Sequence, residues 1–360
     1  MRYKLYTKTE KAWDAMFSSI QKAKSSILLE MYIFSDDTAE SHDFMNILCE
    51  KARMGLKVKL VLNSFKSLNV ISSQSITDLR NAGAEVLFFK NLLRYTHRKI
   101  LIIDEKIAFL GGINIYKFFK KWQDLQIKME GKVVKHVLQS FARIYKFSGG
   151  NDQFVLKHEK ELKTPKGKVR FIEHLPPKNS FRMGKFYKDK IKSARKKILI
   201  VTPYLMPNGW MMRGLKNALK RDVEVEIIMP RFTSNPKVAN VPNYIYMHKL
   251  WKHGAKIFLT KEMTHSKMMI VDEEEGILGS QNIDLLSFDF NMESGISFED
   301  PSMISELQNI ILEWKKDAVL YSPEMRSILI HNYFSDNLLD FSFNVFEKIL
   351  KVFNRFTKVF

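Results

Sequence analysis

Cysteine is almost absent. The single thiol among 360 residues, Cys49, excludes an intramolecular disulfide framework and a cysteine-rich zinc site. Long apolar runs are missing too: no stretch offers the roughly 20 apolar residues that a bilayer-spanning helix needs. The nearest candidate, ILIVTPYLMPNGWMM (198–212), is broken by two prolines, an asparagine and a glycine. It reads as a buried strand running into a loop. The opening residues, MRYKLYTKTEKAWDAMF, scatter charges where a secretory leader would carry an apolar core, so no leader is expected and a reducing cytoplasm is the expected compartment. No P-loop, dinucleotide fingerprint or G-x-S-x-G elbow occurs. His42, His136, His158, His174, His248, His253 and His331 lack mutual metal-ligand spacing, so neither cofactor nor metal is expected. Acidic residues are in deficit, 39 against 58 Lys and Arg, a net charge of +19. That balance points to anionic partners such as nucleic acid, acidic lipid or phosphorylated substrates, although a basic chain that merely stays soluble has it as well.

What is present suits a folded chain: 45% hydrophobic, 12% aromatic and 27% charged residues give ample core material. The chain also repeats itself. AKSSILLEMYIF (23–34) parallels ARKKILIVTPYL (194–205), and CEKARMGLKVKLVL (49–62) parallels LKNALKRDVEVEIIM (215–229). RNAGAEVLFF (80–89) matches WKHGAKIFLT (251–260), where the glycine suits a helix C-terminus ahead of a strand. HRKILIIDEKIAFLGGIN (97–114) matches HSKMMIVDEEEGILGSQN (265–282). Block order and spacing are preserved and polar residues match at matching offsets, which repeated α/β periodicity alone does not explain. The chain is therefore read as an internal duplication joined by a lysine-rich connection, NDQFVLKHEKELKTPKGKVR, expected to be exposed.

The last block carries the chemistry. His97 and Lys99 stand two apart and share one side of a strand; Asp104 follows four apolar residues later, then Gly111-Gly112-Ile113-Asn114. The second copy has His265, Lys267, Asp272, Gly279-Ser280 and Asn282. A histidine serves as nucleophile or proton donor near neutral pH, a lysine holds a phosphate oxygen as a point charge, and asparagine adds an amide donor. Small residues, Gly112 and Ser280, let the backbone approach an anion. Such a set suits phosphoryl chemistry. Asp104 and Asp272 are read as fixing strand ends rather than reacting. Glu30 is an acid inside an apolar strand and must meet a polar group near the site, because an unpaired buried carboxylate is costly.

The pattern H-x-K-x4-D-x6-G-G/S-x-N, present twice, resembles the phospholipase D superfamily. The segments AKSSILLEMYIFSDD, WQDLQIKMEG, ILIVTPYLMPN and SFDFNMESG resemble its bacterial cardiolipin synthase branch, over most of 20–150 and 165–318. The resemblance implies an α/β fold of two homologous lobes, each a mixed sheet flanked by helices, with the active site at their pseudo-twofold interface. The expected organisation is a first lobe at 1–150, a linker at 151–168, a second lobe at 169–325 and a tail at 326–360. By the same resemblance His97 attacks phosphorus to give a covalent phosphohistidine, and His265 protonates the departing alcohol and then serves as base. Lys99, Lys267, Asn114 and Asn282 stabilise phosphoryl charge. Asp124 and Glu293 match the family's downstream acids, which would orient the histidines. The two copies are nearly symmetric, so residues alone do not choose between the histidines.

The implied activity is a cardiolipin synthase-like phosphatidyltransferase. Phospholipase D-type hydrolysis and metal-independent nuclease activity are the alternatives, and a binding-only protein is a third. In FSFNVFEKILKVFNRFTKVF (341–360), Phe346, Ile349, Leu350, Phe353 and Phe360 fall on one helical face, while Lys348, Lys351, Arg355 and Lys358 gather on the other. That pattern suits a helix lying in an anionic membrane interface, or one docked on the protein's own core or a second subunit. Tyr204, Met206, Trp210, Met211 and Met212 suit either an acyl-chain entrance or core packing. The expected place is peripheral, on the cytoplasmic side of the membrane, with nucleic acid a less favoured partner.

Overall fold

A computed structural model describes residues 1–91, 94–160, 167–176, 180–233 and 239–325. The expected amphipathic tail and residues 161–166 of the expected linker lie outside the described residues. By packing, the chain falls into two units. One comprises Met1–Glu173 together with Met292–Ser297, and the other His174–Asn291 and the chain from Phe298 onward.

The first unit is built on seven strands: β1 (Arg2–Lys8), β2 (Ser26–Met31), β3 (Lys57–Asn63), β4 (Glu85–Phe89), β5 (Lys99–Ile103), β6 (Ile107–Gly111) and β7 (Gln123–Glu130). They form a mixed sheet in the order β1-β7-β6-β5-β2-β3-β4. β2, β3 and β4 run parallel, whereas β5 runs antiparallel to β2 with Met31 opposite Lys99 and Ile27 opposite Ile103. Helices α1 (Thr9–Gln21), α2 (Phe44–Arg53), α3 (Ser64–Ser67), α4 (Ser73–Asn81), α5 (Lys132–Phe147) and α6 (Gln153–Leu156) complete it. Trp13, Met16 and Ile20 of α1, Leu48 of α2 and Leu79 of α4 pack on Leu29, Leu60, Leu101 and Phe109 in one core. Every residue of β2 and β5 is buried, as expected for strands covered on both faces.

Residues 151–160, expected as exposed connection, dock instead on this unit. Asp152 caps α6, its carboxylate meets Lys59 Nζ at 2.6 Å, and Val155 is fully buried. Strand β8 (Val169–His174) follows, and β16 (Glu293–Phe298), contributed from far along the chain, lies beside it.

The second unit repeats the plan. It contains α7 (Arg182–Ser193), β9 (Lys197–Val201), β10 (Leu205–Met206), α8 (Gly209–Leu219), β11 (Glu224–Pro230), α9 (Val241–Trp251), β12 (Lys256–Thr260), β13 (Met268–Val271), β14 (Glu275–Gly279), β15 (Ile283–Asp284), α10 (Pro301–Lys315) and β17 (Val319–Leu320). β9, β11 and β12 are parallel, and β13 returns antiparallel to β9 with Met268 opposite Val201. The stretch after β9 is not all loop. Asn208 accepts the Met211 N–H and starts α8 at Gly209, because an asparagine at this position satisfies an otherwise unbonded helix amide. The glycines expected at helix ends, Gly83 and Gly254, have φ of +97° and +98°, a conformation that costs glycine little.

Candidate active site

In the first unit, chain direction decides which motif residues can meet. The C-terminal ends of β2, β3, β4 and β6 and the N-terminal end of β5 share one edge of the sheet. His97 and Lys99 stand there, and Asn114 follows β6 at the same edge. Asp104 ends β5 at the opposite edge, roughly 16 Å away along five strand residues. There its carboxylate accepts the N–H groups of Lys24, Ser25 and Ser26 at 2.7 to 3.1 Å, locking the entry to β2. Asp272 does the same for Arg195, Lys196 and Lys197 at 2.7 to 3.2 Å. Burial alone would raise both carboxyls, but these backbone donors prevail and hold each below the usual carboxylate range. Both aspartates open tight three-residue connections between paired strands, with positive φ at Asp104 and Glu105 and again at Asp272 and Glu273, the backbone signs of a type I′ turn.

His97 is held by a residue from far along the sequence. The backbone of Met292 pairs on both sides with the segment before β5: its N–H donates to Tyr95 O at 2.9 Å, and its carbonyl accepts His97 N–H at 3.0 Å. The next residue, Glu293, is thereby set against the imidazole, with its two oxygens 3.0 and 3.1 Å from Nδ1. The carboxylate is fully buried and the ring nearly so. A carboxylate accepting from Nδ1 fixes the tautomer and leaves the Nε2 lone pair as the nucleophilic one.

Tyr32 stands edge-on to the imidazole, ring centroids 4.6 Å apart. Lys99 Nζ lies 4.8 Å from the same tyrosine ring and donates to the His97 carbonyl. Asn114 is fixed at both ends: its carbonyl accepts Trp13 Nε1–H at 3.0 Å and its side-chain oxygen accepts Ile33 N–H at 3.1 Å. The amide NH2 therefore remains the group suited to an anion. Gly112 is small because Asp124 packs against it; a Cβ there would come within 2.2 Å of Asp124 Oδ1. Asp124 itself is buried and accepts the Leu125 N–H at 2.8 Å.

The middle residue of the first H-x-K, Arg98, was not singled out by the motif, yet it anchors a buried charge network on the opposite sheet face. Arg98 lies 3.0 Å from Glu30 and 3.8 Å from Glu173, and its side chain has no exposure at all. Thr96 donates its hydroxyl to Glu30, Ser140 donates to Glu173, and Arg143 meets Glu173 at 2.9 Å. Two acids and two guanidinium groups thus balance in a dry interior. Burial is the largest influence on Glu30 and pushes its carboxyl up despite Arg98 and Thr96. With its carboxylate directed to Thr96 and Arg98, Glu30 supports the segment carrying His97 from behind, and these are the polar groups that an acid inside an apolar strand requires.

In the second unit, His265, Lys267, Ser280 and Asn282 occupy the corresponding edge, all of them buried. Lys267 Nζ lies 2.9 Å from His265 Nδ1 and also donates to the His265 carbonyl. Asn282 N–H donates to Ser287 Oγ at 3.0 Å, and Ser287 N–H in turn donates to Asp284 at 2.7 Å. Met211 lies in the core, and Trp210 packs edge-on against Phe288 at 5.6 Å, contacts of the packing kind. Among the described residues no cluster of three or more histidine, cysteine or acidic side chains could hold a metal ion, and no helix is long and apolar enough to cross a membrane.

Comparison with known proteins matches this arrangement. Residues 16–145 and 187–314 match the family described as "Cardiolipin synthase, PLD-like domain". A probable cardiolipin synthase of Bacillus subtilis is 28% identical over 335 residues, covering 87% of this chain and 66% of that protein. A cardiolipin synthase of Clostridium perfringens is 29% identical over 352 residues, covering 90% of this chain and 73% of its own. The chain thus spans about two thirds to three quarters of the length of these relatives. The crystal structure of phosphatidylserine synthase from Haemophilus influenzae shares the fold, with a TM-score of 0.73 at 14% identity over 97% of this chain and 94% of that one. The chain belongs to the phospholipase D-like family of cardiolipin synthases.

Proposed function

We propose that the chain is a phosphatidyltransferase that condenses two phosphatidylglycerols into cardiolipin and glycerol. The observation that carries this reading is the buried His97–Glu293 pair within a duplicated H-x-K motif. The His97 Nε2 lone pair attacks the donor phosphorus, and the bond from phosphorus to the glycerol oxygen breaks. His265 delivers the proton that lets glycerol leave, giving phosphatidyl-His97. His265 then takes the proton from a hydroxyl of the second phosphatidylglycerol, whose oxygen displaces His97 and restores it. Lys99, Lys267, Asn114 and Asn282 donate to the non-bridging phosphoryl oxygens as charge builds on them. The working place is the membrane surface, reached peripherally, with the basic tail at 341–360 as one contact.

Purified protein incubated with phosphatidylglycerol vesicles and a chelator, followed by mass spectrometry of the lipids, tests the reading. Cardiolipin and free glycerol, both lost in His97→Ala, are the expected products. Phosphatidic acid alone would make the protein a hydrolase. Intact lipid beside degraded DNA in a parallel incubation would make it a nuclease. The order of the histidines is tested by trapping: phosphoenzyme accumulates in His265→Ala and vanishes in His97→Ala, and the reverse would exchange their roles.

A further inference from the structure

The sheet edge that carries His97 and Asn114 in the first unit also carries the unit's most exposed aromatics. Directly after Asn114, the segment 116–122 folds back on itself and gathers four rings on the surface. Phe118 lies 5.5 Å from Trp122, Phe119 lies 4.4 Å from Trp122, and Tyr116 lies 5.2 Å from Phe119. Phe118 is 58% exposed. After β3, at the same edge, Phe65 and Leu68 are also more than half or half exposed, at 58% and 50%. With Lys90 and Tyr95 they line an open trough of about 610 Å³ that ends two residues before His97. Soluble surfaces rarely gather apolar side chains in this way without a partner.

Cations are interleaved with the rings. Lys117 and Lys120 pair with Glu40 and Glu10 at 2.7 and 3.2 Å, whereas Lys66, Lys90 and Lys121 have no acidic partner among the described residues. Aromatics beside lysines on a chain of net charge +19 match an anionic interface, in which rings sit at headgroup depth and lysines meet phosphates. A second copy of the chain would bring the same lysines against one another.

We propose that this edge of the first unit is a membrane-docking face that takes an anionic phospholipid bilayer, with the 116–122 aromatic cluster on one side of the histidine motif and Phe65 and Leu68 on the other. The assignment builds on the phospholipid reading above and adds a contact independent of the tail. Docking in this orientation presents the histidine edge to the headgroups, so a lipid needs little displacement from its leaflet to reach it.

The test uses the full chain and co-sedimentation with vesicles of phosphatidylglycerol in phosphatidylcholine. Phe118→Ser, and separately Phe65→Ser with Leu68→Ser, each lower the partition coefficient about tenfold, roughly the effect of withdrawing a mostly exposed ring from the interface. The tail does not hide the loss, because contacts made together multiply their contributions to binding. Lys66→Glu with Lys121→Glu weakens binding to these vesicles but not to pure phosphatidylcholine. Phe118→Ser keeps the wild-type rate on short-chain phosphatidylglycerol dissolved as monomers. Unchanged partition in both apolar variants overturns the proposal, as does a loss seen only in retention on single-stranded DNA or only in self-association. If the wild type transfers no phosphatidyl group yet Phe118→Ser still lowers vesicle binding, the docking face stands and the catalytic reading falls.

Discussion

Replacing Glu293 by glutamine isolates what its charge does for His97. The substitution keeps the shape of a fully buried side chain whose two oxygens lie 3.0 and 3.1 Å from the imidazole Nδ1. One consequence is loss of a charge-assisted bond, about 1.5–3 kcal/mol, or roughly 10- to 150-fold in rate if the carboxylate stabilises the transition state throughout. The second is larger. An amide can turn its NH2 toward Nδ1, and the ring then carries its proton on Nε2, where the attacking lone pair has to be. In a histidine–carboxylate pair of this kind such an exchange costs on the order of 10⁴ in turnover. Glu293→Gln is therefore expected to lower kcat by about 10² to 10⁴ with little change in KM, measured as initial glycerol release from saturating phosphatidylglycerol vesicles. The phosphoenzyme burst should shrink in parallel, since the lost step is the first one. Asp104→Asn is the control from the opposite sheet edge and should retain kcat. A folded Glu293→Gln protein, judged by its melting curve, that turns over within threefold of wild type would refute the orienting role.

Removing Asp104 leaves three backbone N–H groups without their acceptor, so Asp104→Ala should lose about 1–3 kcal/mol in urea unfolding at pH 7 and keep its activity per folded molecule. Because this carboxyl is held below its ordinary range, the stability it contributes is complete at neutral pH and disappears as pH falls through its folded-state pKa; wild type and variant should converge in acid. Arg98→Met takes the paired cation from fully buried Glu30, while Arg143 still holds Glu173, and should cost about 3–5 kcal/mol, with Glu30→Gln added to it recovering part of the melting temperature. Gly112→Ala drives a methyl to within 2.2 Å of Asp124 Oδ1; activity and melting temperature should both fall, and adding Asp124→Ala should restore the melting temperature but not the activity.

The repeated blocks made the two sheets and two matching helix ends legible, because period-two apolar runs and a glycine after α4 and after α9 have direct geometric meaning. Asp104 and Asp272 were readable as strand locks, since four apolar residues after a histidine and lysine carry the chain across a sheet. Arg98 was not readable. As the middle residue of H-x-K it faces away from the motif, and only the fold reveals Glu30, Glu173 and Arg143 around it. Tyr32 looked like one more apolar strand residue until its ring was placed 4.6 Å from His97. The most consequential omission was the partner of Glu293. Its offset from Asn282 mirrors that of Asp124 from Asn114, so spacing alone would have kept each acid with its own copy, whereas backbone pairing of Met292 with Tyr95 and His97 carries Glu293 to the first.

That borrowed strand bears on how the protein comes into being. The first unit holds residues Met1–Glu173 and Met292–Ser297, so a ribosome that has emitted the N-terminal half has not yet supplied the acid that orients His97. At roughly 5–20 residues per second, the missing strand arrives on the order of ten seconds later. Until then His97 lacks the carboxylate that faces its Nδ1, and the nascent half does not yet hold the pair on which the proposed reaction rests. The same arrangement ties the duplicated halves together in heredity: the second copy cannot be shed, nor the strand bearing Glu293 redesigned, without taking the carboxylate from the first copy's histidine.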